Sequence, residues 1–262
     1  MEERKAKEIE HYDEVARAWQ DRLARGESNI KDRDIAGVEV MLMASYRHIY
    51  SLLPRYVTGK DVLDYGCGHG MHAVPMALLG ARVTGIDLSE ESLKLARGRA
   101  EREGVADKIN FLQMDCEAPT LKNGSFDVVF DGGTFSSLDT SRAFPEIARV
   151  LRPGGFLIGI ETLGHNPLAN FKRWLNKKRG IRTGWAAEHI LKMSDFETLK
   201  QYFDVTEARF FHFLSMFAFP FRNLPGGKIA FQILDRVDNA LFTALPPLRK
   251  YAFKTVFVLK KK

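Results

Sequence analysis

The chain has 262 residues, of which 45% are hydrophobic and 27% are charged, and its formal net charge is +6. This composition is typical of a globular protein with a core of its own, and it excludes a disordered or fibrous chain. The moderately basic balance is compatible with an anionic partner but does not identify one.

Neither a secretory nor a membrane-spanning segment is indicated. The first residues, MEERKAKEIEHYDE, are charged and lack the apolar centre of a signal peptide. No window reaches about 18 uninterrupted apolar residues, the length that a spanning helix needs. The two cysteines, Cys67 and Cys116, do not have the spacing of metal ligands, and nothing requires a disulfide bond between them. We therefore expect a cytoplasmic protein without a bound metal.

Residues 1–54 are expected to form two helices. In EIEHYDEVARAWQDRL the apolar and aromatic residues recur on one helical face, which includes Tyr12 and Trp19. The stretch GVEVMLMASYRHIYSLLP reads as a more apolar helix that ends at Pro54, because proline removes a backbone donor. Tyr12 and Trp19 either belong only to the apolar stripe or also contact a ligand.

The segment VLDYGCGHGMHAVPMALLGARVTGIDLS, residues 62–89, predicts a strand, a glycine turn, a helix and a second strand. Glycines at such a turn allow unusual backbone angles and a close approach of the backbone to a ligand. The helix that follows offers free N–H groups at its positive end. Asp87 ends the second strand, where a carboxylate can accept hydrogen bonds from both hydroxyls of a ribose. This unit therefore predicts a nucleotide site.

The glycine spacing differs from the dinucleotide fingerprint G-x-G-x-x-G. Gly70 comes one residue too early, and Met71 stands where the fingerprint has glycine. An acid, Asp64, precedes the first glycine by two residues; it repels a pyrophosphate but attracts a cationic ammonium or sulfonium group. An NAD-dependent oxidoreductase is therefore disfavoured. The pattern D-x-G-x-G-x-G, followed by Asp87, resembles the first two motifs of class I S-adenosylmethionine-dependent methyltransferases.

The resemblance continues in order as far as residue 162. KINFLQMDCEAP predicts a third strand ending at Asp115, SFDVVFDGGTFSSL predicts a fourth ending at Asp131, and LRPGG predicts a turn before a fifth. The resemblance implies that S-adenosylmethionine is the cofactor and S-adenosylhomocysteine the product, with Asp115 receiving the adenine amino group. Asp131 alternatively caps a turn. The implied cofactor residues are Tyr12, Asp64, Gly66, Cys67, Gly68, Asp87, Leu88, Asp115, Cys116, Asp131 and Gly132.

The fold implied by the resemblance is α/β, with a seven-stranded Rossmann-like sheet flanked by helices. We expect one domain over residues 1–262, made of an N-terminal helical lid (1–54), a cofactor-binding core (55–162) and substrate-side segments (163–262). A sixth strand is expected at roughly 204–213 and TVFVLKK forms the seventh, with a helical cap insert between them.

Two histidines beyond the fifth strand are candidates for a general base. A base is needed when a hydroxyl or a protonated amine accepts the methyl group, and histidine suits neutral pH. His165 is the first candidate and His189 the second, although a histidine after a strand often only bonds a loop. His69, in the glycine loop, is expected to face solvent. The candidates for contact with the substrate are Trp19, Phe135, Asn166 and Phe217.

The leading hypothesis is methyl transfer to an O or N atom of a small, apolar or aromatic metabolite, because the cap insert is rich in phenylalanine. An RNA or protein methyltransferase that uses the basic segment 172–182 is one alternative, although nucleic acid is not the expected partner. A non-catalytic cofactor-binding scaffold is another. The basic residues of that segment are Lys172, Arg173, Lys177, Lys178, Arg179 and Arg182.

The phenylalanine-rich insert has several interpretations. Phe217 and its neighbours either line a substrate pocket or form a small core under a long loop. They alternatively contact a membrane surface or a dimer partner, and the chain is expected to be a monomer or a homodimer.

Overall fold

The computed structural model describes residues 2–25, 42–178 and 183–262. Its centre is one sheet built from β1 (Asp61–Tyr65), β2 (Arg82–Asp87), β3 (Ile109–Gln113), β4 (Phe126–Asp131), β5 (Leu151–Thr162), β6 (Phe203–Phe211) and β7 (Lys254–Lys261). The strand order is β3-β2-β1-β4-β5-β7-β6. Neighbouring strands are parallel except at β7, which runs antiparallel to both β5 and β6. The predicted seven-stranded Rossmann-like sheet is confirmed.

Helices flank this sheet on both faces. They are α1 (Glu2–Ala24), α2 (Ala44–Val57), α3 (Ala73–Leu78), α4 (Glu90–Arg102), α5 (Thr140–Val150), α6 (Pro167–Lys178), α7 (Gly184–Glu188), α8 (Met193–Leu199), α9 (Ser215–Ala218) and α10 (Gly227–Ala244). In the described part of the chain no helix is both long enough and apolar enough to cross a membrane. α9 and α10 form a helical cap between β6 and β7.

The sheet topology creates a crevice beside the carboxyl end of β1. The chain passes from β1 to β2 and β3 on one side and then returns to the other side of β1 for β4. In this register Tyr65 lies beside both Ile86 and Asp131. The loops that follow β1, β2 and β4 therefore meet at one edge of the sheet, where α/β proteins bind ligands.

The second helix differs from the sequence expectation. α2 continues through Pro54 and ends at Val57, which is fully buried. A proline inside a helix removes one backbone hydrogen bond; the burial of Leu53, Tyr56 and Val57 in the core offsets that loss. Residues 37–41, the predicted beginning of this helix, lie outside the described residues.

Two strand boundaries also differ. Strand β5 already begins at Leu151, so the expected turn at residues 153–155 lies inside the strand, where the pairing with β4 shifts between Phe126 and Val128. Such a bulge lets a strand keep its pairing while the chain turns. Strand β3 ends at Gln113, and Asp115 therefore stands in the loop after it.

A buried polar cluster ties the cap to α2. The Ser45 hydroxyl lies 2.9 Å from His212 Nε2, and His212 Nδ1 lies 2.6 Å from an Asp235 oxygen. All three side chains are buried. His212 has a φ of 64°, a strained angle for a residue other than glycine. These bonds hold the cap in a fixed position at the end of β6.

We expect Asp238→Ala to lower the free energy of unfolding by about 3 kcal/mol, because buried donors would lose their acceptor. The Asp238 carboxylate accepts the backbone N–H groups of Phe213, Leu214 and Ser215 at 2.8, 2.7 and 3.0 Å. Urea denaturation measures the effect, with Asn239→Ala on the exposed face of the same helix as control. An unchanged unfolding midpoint for Asp238→Ala would contradict this account of the cap.

Candidate active site

A cavity of about 180 Å³ lies at the carboxyl edge of the sheet, beneath α1. Its floor is formed by backbone of the glycine loop, of the ends of β2 and β4, and of the loop after β3. Of the predicted cofactor and substrate residues, those that line it are Tyr12, Trp19, Gly66, Gly68, Asp87, Leu88, Asp115, Cys116 and Gly132. The crevice expected from the strand topology is therefore where most of the predicted residues meet.

The glycine loop exposes its backbone to this cavity. Gly66 and Gly68 have φ angles of +70° and +50°, which side chains rarely adopt. A Cβ at Gly66 would lie 2.3 Å from Thr134 Cγ2, so Gly66 is needed for close packing against the loop after β4. A Cβ at Gly68 would meet no protein atom within 4 Å. Gly68 therefore borders open space that a ligand in the cavity can occupy.

Asp87 is held by the glycine loop and by the turn into α4. Its Oδ2 accepts the Gly68 N–H and its Oδ1 accepts the Ser89 N–H, both at 2.9 Å. Burial raises the pKa of this carboxyl, and these amides oppose that rise. Each carboxylate oxygen can accept a further hydrogen bond. The group is thus positioned to receive the two hydroxyls of a ribose.

Asp64 is a buried carboxyl that lacks a partner. It is 1% exposed, and neither of its oxygens has a hydrogen-bond partner among the described residues. Burial, followed by the nearby Asp87 carboxylate, raises the pKa of Asp64 to about 8, and the Ala73 backbone amide opposes this. A cation beside the glycine loop would stabilise the ionised form. This orphaned acid fits the ammonium group of S-adenosylmethionine.

The pKa of Asp64 makes the stability of the cofactor-free protein depend on pH. Its folded value of about 8 lies above the unfolded value of about 4, so between these values the folded state holds the extra proton. Stability is then lost as the pH rises through this window. We expect Asp64→Asn to raise the free energy of unfolding by about 2 kcal/mol above pH 8 and by much less near pH 5.

Urea denaturation across this pH range measures the effect of Asp64→Asn. Asp107→Asn, an exposed acid at the opposite edge of the sheet, is the control and should give no pH-dependent gain. An effect of Asp64→Asn that is the same at all pH values would contradict a raised pKa.

The lid helix α1 is fastened over the cavity by polar contacts. Lys5 forms ion pairs with Asp115 and, at 3.2 Å, with Glu117. The Tyr12 hydroxyl lies 3.0 Å from the Ser137 hydroxyl. Because Lys5 pairs with Asp115, the carboxylate expected to receive the adenine amino group, the cofactor must share or displace this pair. The sequence pattern of α1 predicted its apolar face but not this contact.

Three of the predicted cofactor residues do not line the cavity. Besides Asp64, these are Cys67, which packs under Gly85, and Asp131, which is fully buried. Burial and the neighbouring Glu161 carboxyl raise the pKa of Asp131 well above its ordinary value. Asp131 accepts the Thr134 N–H at 3.0 Å, as expected for the turn-capping alternative. Both cysteines are free thiols, and burial raises the pKa of each.

The two predicted catalytic histidines lie away from this cavity. His165 Nε2 accepts the Met193 N–H at 3.4 Å, in the turn after β5. His189 is exposed, and its ring is stacked on Trp185 at 3.5 Å. Both side chains are accounted for by local contacts, because the chain turns away from the cavity after β5 ends.

Most of the predicted substrate residues also lie elsewhere. Phe135 is fully buried between Phe144 and Phe257. Asn166 accepts the Ala169 N–H at 2.9 Å in the first turn of α6. Phe217 is exposed on the cap. Of the four predicted substrate residues, only Trp19 reaches the cavity.

The basic side chains of residues 172–178 that the structure describes do not all face solvent as a charged stripe would. Arg173 is buried and donates to the Asn170 side chain and to the Leu163 carbonyl. The Lys178 ammonium lies 4.1 Å from the centre of the Trp174 ring. Arg179 and Arg182 lie outside the described residues. The alternative of an RNA-binding surface therefore gains no support here.

Two histidines near the glycine loop have environments that the sequence did not reveal. His69 does not face solvent as expected: it lines the cavity and its ring is stacked 6.1 Å from that of Trp19. Burial, followed by Arg99, lowers the pKa of His69 to about 4. His72 is buried, and burial lowers its pKa to about 3. In the sequence, the only sign that His72 lies near the site was its position two residues after Gly70.

His72 stands directly behind the cavity wall. A Cβ at Gly132, which lines the cavity, would lie 2.6 Å from His72 Cδ2 and 3.0 Å from Nε2. His72 Nδ1 lies 3.1 Å from the Tyr50 hydroxyl, whereas Nε2 has no hydrogen-bond partner among the described residues. The histidine is therefore neutral, held by α2, and turned with its unpaired edge toward Gly132.

Comparison with known proteins agrees with this geometry. Residues 63–159 match the family described as a methyltransferase domain. Together with the strand order and the glycine loop, this match identifies residues 63–159 as a methyltransferase domain of the class I, Rossmann-like type that uses S-adenosylmethionine. The residues present fit that cofactor, since the Asp87 carboxylate can accept further hydrogen bonds, open space adjoins Gly68, and the buried Asp64 carboxyl has no hydrogen-bond partner among the described residues.

A curated relative gives a narrower comparison. The ubiquinone biosynthesis O-methyltransferase of Bordetella bronchiseptica is 38% identical over 119 residues, which cover 42% of this chain and 46% of that protein. The chain thus spans about half the length of the curated relatives it matches.

Solved structures show the same fold at low sequence identity. Geranyl diphosphate C-methyltransferase of Streptomyces coelicolor has a TM-score of 0.59 and 15% identity, and the match covers 82% of this chain and 78% of that one. The [4+2]-cyclase SpnF has a TM-score of 0.56 and 19% identity, with 82% and 80% covered. Proteins named for different reactions therefore share this fold, and function must be argued from the site.

Proposed function

We propose that this protein transfers a methyl group from S-adenosylmethionine to an oxygen atom of a small, apolar or aromatic metabolite in the cytoplasm. The observation that carries the proposal is the pairing of the bare Gly68 backbone with the Asp87 carboxylate at the cavity floor. The matched methyltransferase domain spans this region. The names of the curated relatives support oxygen rather than nitrogen as the acceptor atom.

Each of the three acids near the carboxyl ends of β1, β2 and β3 has a separate role in this proposal. Asp87 receives the ribose hydroxyls, Asp115 receives the adenine amino group, and Asp64 stabilises the ammonium group of the methionine portion. When bound, the cofactor supplies a methyl group on a positively charged sulfur. The protein then mainly has to hold the acceptor oxygen about 3 Å from that methyl, in line with the leaving sulfur.

A hydroxyl acceptor must lose its proton during this transfer, and we assign the role of proton acceptor to His72, whose Nε2 lies behind Gly132 in the cavity wall. Its ring edge faces Gly132 at the end of β4, where the family holds the methionine portion of the cofactor. When Nδ1 donates to the Tyr50 oxygen, Nε2 is left to accept a proton. This assignment replaces His165 and His189, which lie away from the cavity.

We expect His72→Gln to lower kcat about tenfold while the affinity for S-adenosylhomocysteine changes less than threefold. The effect is modest for general-base catalysis because the low pKa of His72 makes it a weak base. Steady-state kinetics and calorimetry measure the two quantities, with His189→Gln as the comparison. If His189→Gln loses activity and His72→Gln does not, the assignment is wrong.

The proposed activity is tested with radiolabelled S-adenosylmethionine and a panel of acceptors. The panel consists of phenols with apolar chains of increasing length, matched anilines, and RNA. We expect label in the phenols and a rate that rises with chain length. Label only in anilines or in RNA would overturn the proposal of a small oxygen acceptor.

A further inference from the structure

The cap carries an exposed apolar face that no described part of the chain covers. Ile229, Ile233 and Val237 are spaced four residues apart on α10, and the first two are 63% and 54% exposed. Residues spaced in this way lie on one side of a helix. The opposite side of α10 packs on the protein through Phe231 and Phe242, which are buried.

The segment just before α10 extends this face. Phe217, Phe221 and Leu224 are each more than half exposed. Gly227 brings the two parts together, since a Cβ there would lie 1.9 Å from the Phe221 carbonyl oxygen. Isolated exposed apolar residues are ordinary, but a concentration in one element marks a surface that contacts something else.

Within the cap itself, residues 212–253, the exposed charges have one sign. Residues 212–253 contain two acids, Asp235 and Asp238, and both are buried and hydrogen-bonded within the cap. Arg236 and Lys250 are exposed. The exposed charge of the cap is therefore entirely positive, a pattern that complements an anionic surface.

The cap also lies on the side of the sheet where the cavity opens. Phe211, at the end of β6, and Thr162, at the end of β5, both pair with Lys254 at the start of β7. The cap between β6 and β7 therefore projects from the carboxyl edge of the sheet, which also carries the cofactor cavity. A surface bound by the cap would stand on the same side as the active site.

From these observations we propose that the exposed face of the cap binds the surface of an anionic lipid membrane. Aliphatic and aromatic side chains enter the headgroup region, while the lysine and arginine side chains reach the lipid phosphates. A second copy of this chain fits less well, because a twofold interface would bring like charges together. This binding goes beyond methyl transfer and does not depend on it.

Vesicle co-sedimentation tests the proposal with the full chain in the absence of cofactor. The probes are vesicles of phosphatidylcholine alone and vesicles with about one third phosphatidylglycerol. We expect at least about tenfold tighter binding to the anionic vesicles and weaker binding as salt is raised. The triple variant Ile229→Ser, Ile233→Ser, Val237→Ser should bind at least about tenfold more weakly. Arg236→Gln with Lys250→Gln should lose most of the preference for anionic lipid.

The matched control replaces exposed apolar residues outside the cap, Leu78→Ser and Val205→Ser, and should bind like the wild type. Circular dichroism and S-adenosylhomocysteine titration show that each variant is folded. The proposal is overturned if the wild type does not bind anionic vesicles, or if the triple serine variant binds them equally well. It is also overturned if ultracentrifugation shows a dimer that the triple variant dissolves, while the vesicles stay unbound.

Discussion

Asp87→Ala is expected to weaken the binding of S-adenosylhomocysteine about 100-fold. The carboxylate lines the cavity, and the Gly68 and Ser89 amides fix its orientation at 2.9 Å. Two hydrogen bonds from ribose hydroxyls to a charged acceptor contribute together about 3 kcal/mol, which corresponds to this change in affinity. Isothermal titration calorimetry measures it directly.

The control for this substitution is Asp107→Ala, which removes an exposed carboxylate near the start of β3, at the opposite edge of the sheet. It makes the same change in net charge without touching the cavity and should leave the affinity unchanged. If both variants bind the ligand like the wild type, Asp87 does not hold the ribose. The assignment of the cavity would then have to be abandoned.

A side chain at position 68 should exclude the cofactor. Gly68→Val places a branched side chain in the space that no protein atom occupies within 4 Å of the Cβ position. We expect a loss of about 3 kcal/mol in binding, or roughly 100-fold, because the added methyl groups overlap the ligand. Calorimetry again gives the affinity, and urea denaturation gives the cost to stability.

Gly104→Val separates ligand exclusion from backbone strain. Gly104 also has a positive φ, +69°, and open space around its Cβ position, but it is exposed after α4 and away from the cavity. Both variants should lose stability through the unfavourable φ, and only Gly68→Val should lose affinity. Equal losses of affinity would mean that position 68 acts through folding and not through the cavity.

The cofactor side was predictable because it rests on short local patterns. Parallel strands end at the same edge of a sheet, so acids that follow successive strands, such as Asp87 and Asp115, come together without any knowledge of packing. Glycine at position 66 signalled the close packing against Thr134 that the structure shows, and glycine at position 68 signalled the positive φ. The predicted fold class follows from the same alternation of strands and helices.

The acceptor side was not predictable because it depends on contacts between distant segments. The pairing of Lys5 with Asp115 joins residues that are far apart in the chain. His72 gains its position behind Gly132 from Tyr50 on α2, whereas the position of His165 after β5 led only to a local bond with Met193. Sequence spacing carries no information on which loop turns toward the cavity.

Calorimetric titration of the wild-type protein with S-adenosylhomocysteine and, separately, with NAD distinguishes the proposed cofactor site from a dinucleotide site. We expect micromolar binding of S-adenosylhomocysteine and no heat of binding with NAD, because an ammonium group stabilises the ionised form of the buried Asp64 carboxyl and a pyrophosphate does not. Binding of NAD without binding of S-adenosylhomocysteine would contradict the proposed cofactor site.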